Sequence, residues 1–346
     1  MDKNFFDKDI NEQLKIMENE KFFSKNELAQ SDFLREKGFF ELEMKKRVEF
    51  LEKAGIFHID VNDDPPTIPL TLDKVDYLNK KITSKINREI AYGSAERFLN
   101  KIIKNKKLII KEIKGIERLK NVKTGAIITC NHFNPFDCFA VEYVFRQAGL
   151  NKKRRLYKVI REGNYTNFPG LYGYFFKNCD TLPLASNRKV MAEFIKSINT
   201  ILKRGDFILM YPEQSMWLNY KKPKPLRDGT FKIATKNDVP VIPIFITMQD
   251  SNVIGDDGNP VQEYIINIEN PIYADQKLEE KEKITQMKKS NFEVWKKVYE
   301  DFYGTTLEYT TKQSEVFGEA FGKLLGTPSK SRPKSEKLLG TPSKSF

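Results

Sequence analysis

The chain has 346 residues, of which 40% are hydrophobic and 31% are charged, and its formal net charge is +12. This length allows a large core, while no apolar run approaches the ~18 residues of a membrane-spanning helix. The three cysteines, Cys130, Cys138 and Cys179, are too few for a disulfide framework and lack the spacing of metal ligands, and the N-terminus lacks the apolar segment of a secretory signal. We therefore expect a cytoplasmic protein that holds no metal.

The positive charge favours an anionic partner. Anionic membranes, nucleic acids and acidic substrates all fit a basic surface, and charge alone does not choose among them. The sequence contains no zinc-finger spacing and no RNP-type motif, so we expect no nucleic-acid binding. An anionic lipid surface is the favoured partner.

Residues 1–105 form the first predicted region, which is charged and helical. Apolar residues recur at helical spacing from Asn26 to Ala54, and a second helical stretch runs from Val75 to Lys104. A proline-rich break separates the two stretches. His58 lies just before this break with no partner motif around it, so we interpret it as a structural or surface histidine.

Residues 106–310 form the second predicted region, in which short strands alternate with helices. The predicted strands are Leu108–Ile113, Ala126–Cys130, Leu156–Ile160, Thr181–Leu184, Phe207–Tyr211, Val239–Ile246 and Tyr264–Ile268. Helices are predicted near Pro135–Ala148, Arg188–Lys203 and Phe231–Lys236. This alternation predicts an α/β fold with a mixed, partly parallel sheet flanked by helices. His132 and Glu213 each follow a predicted strand, so we expect them at one edge of the sheet.

Residues 311–346 form the third predicted region, a basic tail. The segment Lys323–Ser331, KLLGTPSKS, recurs as Lys337–Ser345, and residues 323–346 contain six Lys or Arg against one Glu. Two short copies do not make a solenoid, and the composition predicts disorder.

One motif suggests acid–base chemistry. His132 is one of only two histidines, and it precedes Asp137 by five residues in Asn131-His132-Phe133-Asn134-Pro135-Phe136-Asp137. Imidazole is suited to removing a proton from a hydroxyl, and a nearby carboxylate can orient it. The alternative is a helix start, in which Asn134 is the N-cap, Pro135 is the first helical residue and Asp137 complements the helix dipole. The two interpretations are compatible.

Three further blocks follow this motif in a fixed order. They lie in residues 161–184, in Tyr211-Pro212-Glu213-Gln214-Ser215-Met216-Trp217, and in Asp238-Val239-Pro240-Val241-Ile242-Pro243-Ile244. Over about residues 120–250, the set resembles the glycerolipid acyltransferase family typified by lysophosphatidic acid acyltransferases. That family carries N-H-x-x-x-x-D, G-x-x-x-x-R-type, F-P-E-G-T-R-S and V-P-V-x-P blocks.

The resemblance implies transfer of an acyl group from acyl-CoA or acyl carrier protein to a hydroxyl of a lysophospholipid-type acceptor, by default 1-acyl-glycerol-3-phosphate. His132 would be the general base, Asp137 would orient it, and Glu213, with Gln214 and Ser215, would shape the acceptor site. The thioester is a co-substrate, so no cofactor is expected. The resemblance also implies peripheral association with the inner face of the membrane.

The sequence departs from the family at the residues expected to bind the acceptor phosphate. Met216 replaces the arginine of the third block, and Arg188 falls slightly later than the arginine of the second block. Replacement cations are available in Lys221, Lys222, Lys224 and Arg227, unless these residues form only a solvated basic loop. Met216 and Trp217 would alternatively suit a less charged acceptor. The departure also motivates an alternative function, a catalytically silent lipid-binding protein on the same scaffold.

Two stretches between the blocks have open roles. Six basic residues in 152–161 either meet lipid headgroups or the phosphates of CoA, or form a solvated face. Residues 168–176, which are rich in Phe, Tyr and Gly, either line an acyl channel or pack in the core.

Overall fold

The structure is a computed structural model that describes residues 4–63, 67–256 and 258–311. Its centre is a sheet whose strands are β1 (Ile109–Lys114), β2 (Ala126–Cys130), β3 (Leu156–Arg161), β4 (Thr181–Leu184), β5 (Phe207–Met210), β6 (Val241–Ile254) and β7 (Pro260–Ile268). The strand order is β1-β7-β6-β2-β5-β3-β4. Every neighbouring pair is parallel except β6 and β7, which are antiparallel. The predicted mixed, partly parallel α/β sheet is confirmed.

Helices cover both faces of this sheet. The helices of the described residues are α1 (Ile10–Asn19), α2 (Glu27–Glu36), α3 (Met44–Ala54), α4 (Ile82–Lys104), α5 (Ile116–Asn121), α6 (Asp137–Gln147), α7 (Glu162–Thr166), α8 (Gly170–Asn178), α9 (Arg188–Lys203), α10 (Gly229–Asn237) and α11 (Glu280–Tyr303). Successive side chains of a strand point to opposite faces, so the central strands supply two cores. Ile127 and Ile208 pack with α9, α10 and α11, whereas Ile128 and Leu209 pack with α6.

The structure corrects or extends several of the predicted elements. The helical stretch from Asn26 to Ala54 is interrupted by a 3₁₀ turn at Phe39–Glu41, and β6 runs to Ile254 because its second half pairs with β7. Helix α11 was missed, although its buried residues Ile284, Met287, Asn291, Trp295 and Tyr299 recur at helical spacing. Charged residues between these positions obscure the pattern.

The N-terminal helices form an internal repeat that sequence reasoning also missed. Phe5, Phe22 and Phe39 recur at intervals of 17 residues, and each begins a Phe-Phe pair in a 3₁₀ turn that precedes α1, α2 or α3. All three rings are fully buried. In the first two units, the amides of Gln13 and Gln30 donate to the carbonyls of Phe5 and Phe22 at 3.0 and 3.1 Å. We call residues 5–54 the repeat array.

The repeat array packs on the sheet domain through one shared core. Its buried residues form a hydrophobic cluster with Phe57, Ile59 and Trp217, the last of which comes from the loop after β5. The chain also returns to the array at its described end, where Glu52 accepts a hydrogen bond from the backbone N–H of Thr310 at 2.9 Å. The predicted domain boundaries stay a prediction, and the predicted tail with its duplicated segment lies outside the described residues except for Thr311.

Candidate active site

The candidate site lies at the carboxyl ends of the neighbouring parallel strands β2 and β5. Thr129 pairs with Met210 in the register, so the residues after each strand emerge side by side. His132 follows β2 and Glu213 follows β5, and the backbone N–H of His132 donates to Glu213 Oε2 at 3.1 Å. The sheet therefore brings the two residues together, as expected from their positions.

His132 and Asp137 form a close pair. Asp137 Oδ2 is 2.7 Å from His132 Nδ1, and the same oxygen accepts the backbone N–H groups of Phe133 and Asn134 at 3.2 and 3.4 Å. Asp137 is 1% exposed, whereas the side chain of His132 is 27% exposed. With Nδ1–H directed at the carboxylate, Nε2 is the nitrogen that remains for a substrate hydroxyl.

The helix-start interpretation is partly corrected. Helix α6 begins at Asp137, two residues later than predicted, and Asn134 Oδ1 accepts the backbone N–H of Phe136 at 3.0 Å. The carboxylate of Asp137 points back to the turn at Phe133 and Asn134, not into its own helix. Asp137 thus fixes both the turn and the imidazole.

Tyr211 is a site residue that sequence reasoning missed. Its hydroxyl donates to Asp137 Oδ1 at 2.7 Å, and its ring stacks on the imidazole of His132 with centroids 4.0 Å apart and planes at 21°. The sequence feature that could have identified Tyr211 is its position in the third block, where the family pattern has Phe.

Glu213 and Lys224 form a buried ion pair. Both side chains are 1% exposed, and Lys224 Nζ lies 3.1 Å from Glu213 Oε2. Lys224 Nζ also donates to the carbonyl of Ser215 at 2.9 Å, while the other Glu213 oxygen accepts the Lys224 backbone N–H at 2.9 Å. This pair therefore joins the loops after β2 and β5, and neither side chain is open to an acceptor.

The third block contacts the segment that follows the repeat array. Ser215 is buried and its hydroxyl donates to the carbonyl of Phe57 at 2.6 Å, and the backbone N–H of Met216 donates to Asp60. Trp217 is fully buried, its indole N–H donates to the carbonyl of Ile59 at 2.8 Å, and its ring stacks on Phe57. The departures from the family block thus build a docking surface, and Ser215 and Trp217 do not face an acceptor.

The other predicted acceptor-binding residues are scattered. Lys222 pairs with Glu52 at 2.7 Å and Arg227 lies 3.4 Å from Glu27, so both contact the repeat array. Gln214 is exposed in a left-handed conformation. Arg188 is exposed at the start of α9, directly after β4, and therefore lies at the same edge of the sheet as His132. It has no hydrogen bond or ion pair in the part of the chain that the structure describes.

Most of the basic side chains in residues 152–161 bind groups within the protein. Arg154 donates to the carbonyls of Lys123 and Thr124, Arg155 lies 3.9 Å from Asp180, and Lys158 pairs with Glu142 at 2.6 Å. Arg161 pairs with Asp60. The interpretation of this run as a continuous headgroup surface is therefore not supported for these side chains.

The aromatic stretch after β3 forms α8 and the turn before it. Leu171 and Tyr172 are exposed, whereas Phe175 is buried against α4. The ring of Phe98, from α4, contacts both Tyr172 and Phe136, with centroids 5.6 and 6.5 Å away. Aromatic side chains thus connect the His132 motif with the exposed surface of α4 and α8.

The two cysteines that flank the His132 motif are not ionised. Burial raises the pKa of Cys138 to about 12 and that of Cys130 well above its usual value, which keeps both thiols protonated. Within residues 4–63, 67–256 and 258–311, no group of three His, Cys, Asp or Glu side chains could hold a metal ion. Across the same ranges, none of the helices combines the length and apolar character needed to cross a bilayer.

Comparison with known proteins identifies the region that contains the site. No curated protein matches the sequence. Among solved structures, the chain is similar to the 1-acyl-sn-glycerophosphate (LPA) acyltransferase PlsC from Thermotoga maritima, with 16% identity and a TM-score of 0.43 over 67% of this chain and 87% of that chain. Residues 111–247 match the family model described as Acyltransferase, which confirms the family resemblance of the motifs. The matched region includes His132, Asp137, Tyr211 and Glu213 of the candidate site.

Proposed function

We propose that the protein transfers a fatty acyl group from a thioester, either acyl-CoA or acyl carrier protein, to the free hydroxyl of a lysophospholipid-type acceptor. The observation that carries the proposal is the His132–Asp137 pair, in which a buried carboxylate lies 2.7 Å from the Nδ1 of a partly exposed imidazole. The acyltransferase-family match over the same residues supports the reaction class.

The reaction needs one base and no covalent enzyme intermediate. His132 Nε2 takes the proton of the acceptor hydroxyl as its oxygen attacks the thioester carbonyl carbon. Asp137 stabilises the imidazolium that forms. The tetrahedral intermediate collapses with cleavage of the C–S bond, and the leaving thiolate recovers the proton from His132.

We also propose that the protein works at an anionic membrane surface. Ile82, Ile86 and Ile90 lie one helical turn apart on α4 and are 74%, 55% and 55% exposed. Exposed Leu171 and Tyr172 lie on the neighbouring α8, and Lys80, Lys81 and Lys85 flank the isoleucines. Exposed apolar side chains with lysines beside them suit an interface of acyl chains and anionic headgroups.

The experiment is an acyl-transfer assay with acyl-CoA or acyl carrier protein as donor and a panel of lysolipids in anionic vesicles. We expect transfer to at least one lysolipid, and a loss of about 10³-fold or more in His132→Ala. His58→Gln is the matched control, since it replaces the other histidine. Transfer by His132→Ala at the wild-type rate contradicts the mechanism, and no transfer by the wild type to any lysolipid favours the silent lipid-binding alternative.

A further inference from the structure

Tyr211 contacts both members of the proposed catalytic pair. It follows directly after β5, and the pairing of Thr129 with Met210 sets it beside Cys130 on the neighbouring strand. From this position its ring covers the face of His132, and its hydroxyl reaches the carboxylate of Asp137. No helix turn or local loop enforces this contact, because the residues are 74 positions apart.

The contacts of Asp137 divide between its two oxygens. Oδ2 binds the imidazole of His132 and the backbone N–H groups of the turn, whereas Oδ1 accepts the hydroxyl of Tyr211 at 2.7 Å. A carboxylate bound at both oxygens has little freedom to rotate. The stacked ring meanwhile restricts the tilt of the imidazole, so one side chain restrains both partners.

The hydroxyl of Tyr211 stays a donor throughout the working pH range. Burial, together with the negative charge of Asp137, raises its pKa well above the usual value. The phenol therefore does not exchange protons with substrate, and its contribution is orientation and partial neutralisation of the carboxylate.

We propose that Tyr211 is a positioning residue for the His132 base, acting through its hydroxyl on Asp137 and through its ring on the imidazole. This inference rests on the proposed function for the role of His132. It also gives a reason for the tyrosine where the family block has phenylalanine, because phenylalanine keeps the stacked ring and lacks the hydrogen bond.

The test is Tyr211→Phe, which removes only the hydroxyl. We expect kcat to fall about 10-fold while the KM values for donor and acceptor stay unchanged. Without the donor on Oδ1, the carboxylate favours the imidazolium more strongly, so the acidic limb of the kcat/KM profile moves to higher pH by roughly half a unit to one unit. Tyr211→Leu also removes the ring and is expected to lose more activity.

Tyr264→Phe is the matched control. Tyr264 is buried with its ring edge-on to that of Phe133, and its hydroxyl has no hydrogen-bond partner among the described residues. The control is expected to keep the wild-type kcat and pH profile. Tyr211→Phe behaving like Tyr264→Phe overturns the proposal.

An NMR relaxation measurement separates this inference from the proposed function. The chain has two histidines, so selectively labelled protein gives two sets of imidazole signals, and His58→Gln assigns them. We expect the imidazole of His132 to be more mobile in Tyr211→Phe than in the wild type, whether or not a substrate has been found. Equal mobility overturns the positioning role, whereas increased mobility in a protein without transferase activity rejects only the proposed function.

Discussion

Asp137 and Glu213 are both buried carboxylates at the same edge of the sheet, but their side-chain partners differ in exposure. Asp137 binds His132, whose side chain is 27% exposed, whereas Glu213 binds Lys224, whose side chain is 1% exposed. A substrate hydroxyl can therefore reach the first pair and cannot reach the second. The difference shows that neighbouring loops of one sheet edge can carry a partly exposed imidazole pair and a fully buried ion pair.

The same contrast explains the departures in the third block. Residues 214–217 follow Glu213, and two of them, Ser215 and Trp217, are buried against the segment after the repeat array. An arginine and a small polar residue at positions 216 and 217 would leave the space now filled by the indole ring empty. The loop thus serves docking, whereas the predicted cations Arg188 and Lys221 remain exposed.

Among the variants that test this comparison, Asp137→Asn is expected to show the largest effect. The amide has the size of the carboxylate but lacks the charge that stabilises the imidazolium and selects the tautomer with Nδ1–H. We expect kcat to fall by about 10²- to 10⁴-fold, which corresponds to roughly 3–5 kcal/mol in the activation barrier. Steady-state kinetics on the folded variant measure this loss, and a melting temperature within a few degrees of wild type shows that the fold is retained.

Asp206→Asn is the control for that variant. Asp206 is also a buried carboxylate, but it precedes β5 at the opposite end of the strand and accepts the backbone N–H of Arg155. Its amide variant is expected to keep the wild-type kcat. If Asp137→Asn also keeps it, Asp137 acts only on the turn at the start of α6.

A smaller effect, on stability and not on rate, is expected for Lys224→Met. Removing the ammonium leaves the Glu213 charge buried and unpaired, so the free energy of unfolding should fall by about 3–4 kcal/mol. Combining it with Glu213→Gln removes that charge as well, and the double variant should be more stable than Lys224→Met alone. Urea denaturation of the wild type, both single variants and the double variant measures this coupling.

The KM for the acceptor distinguishes a structural role of the Glu213–Lys224 pair from a role in binding the acceptor. If Lys224 only joins the loops, the folded Lys224→Met variant has the wild-type KM for acceptor within about twofold, because the position is not in contact with substrate. A KM raised tenfold or more, with little change in the free energy of unfolding, would assign the pair to the acceptor site.

The sequence predicted the local parts of this arrangement and missed the distant ones. The apolar run Ala126–Cys130 and the helical periodicity of Arg188–Lys203 gave elements with the bounds that the structure has. The His132–Asp137 contact spans five residues and could be anticipated from the turn. The Tyr211 and Trp217 contacts join residues 74 and 158 positions apart, and they depend on strand register and docking that no local pattern encodes. The repeat array was predictable, since its Phe-Phe pairs recur at a fixed interval.

His58 and His132 differ in exposure in the same way as the partners of Asp137 and Glu213. His58 Nε2 lies 2.6 Å from the amide oxygen of Gln30, and burial, with a contribution from the charge of Arg227, lowers its pKa to about 4. The unfolded chain has the ordinary histidine pKa of about 6.5, so it binds a proton at pH values where the folded protein does not. The stability that His58 contributes is therefore complete above pH 6.5 and is lost as the pH falls toward 4.

Between pH 7 and pH 5 this linkage should cost about 2 kcal/mol of unfolding free energy, and His58→Gln should remove that cost because glutamine does not titrate. Chemical denaturation at a series of pH values measures the difference between the two curves. His132 is present in both proteins, so it does not affect the comparison. Parallel curves for wild type and His58→Gln would mean that His58 has the same pKa in the folded and unfolded states, which would contradict its assignment to the buried contacts of the repeat array.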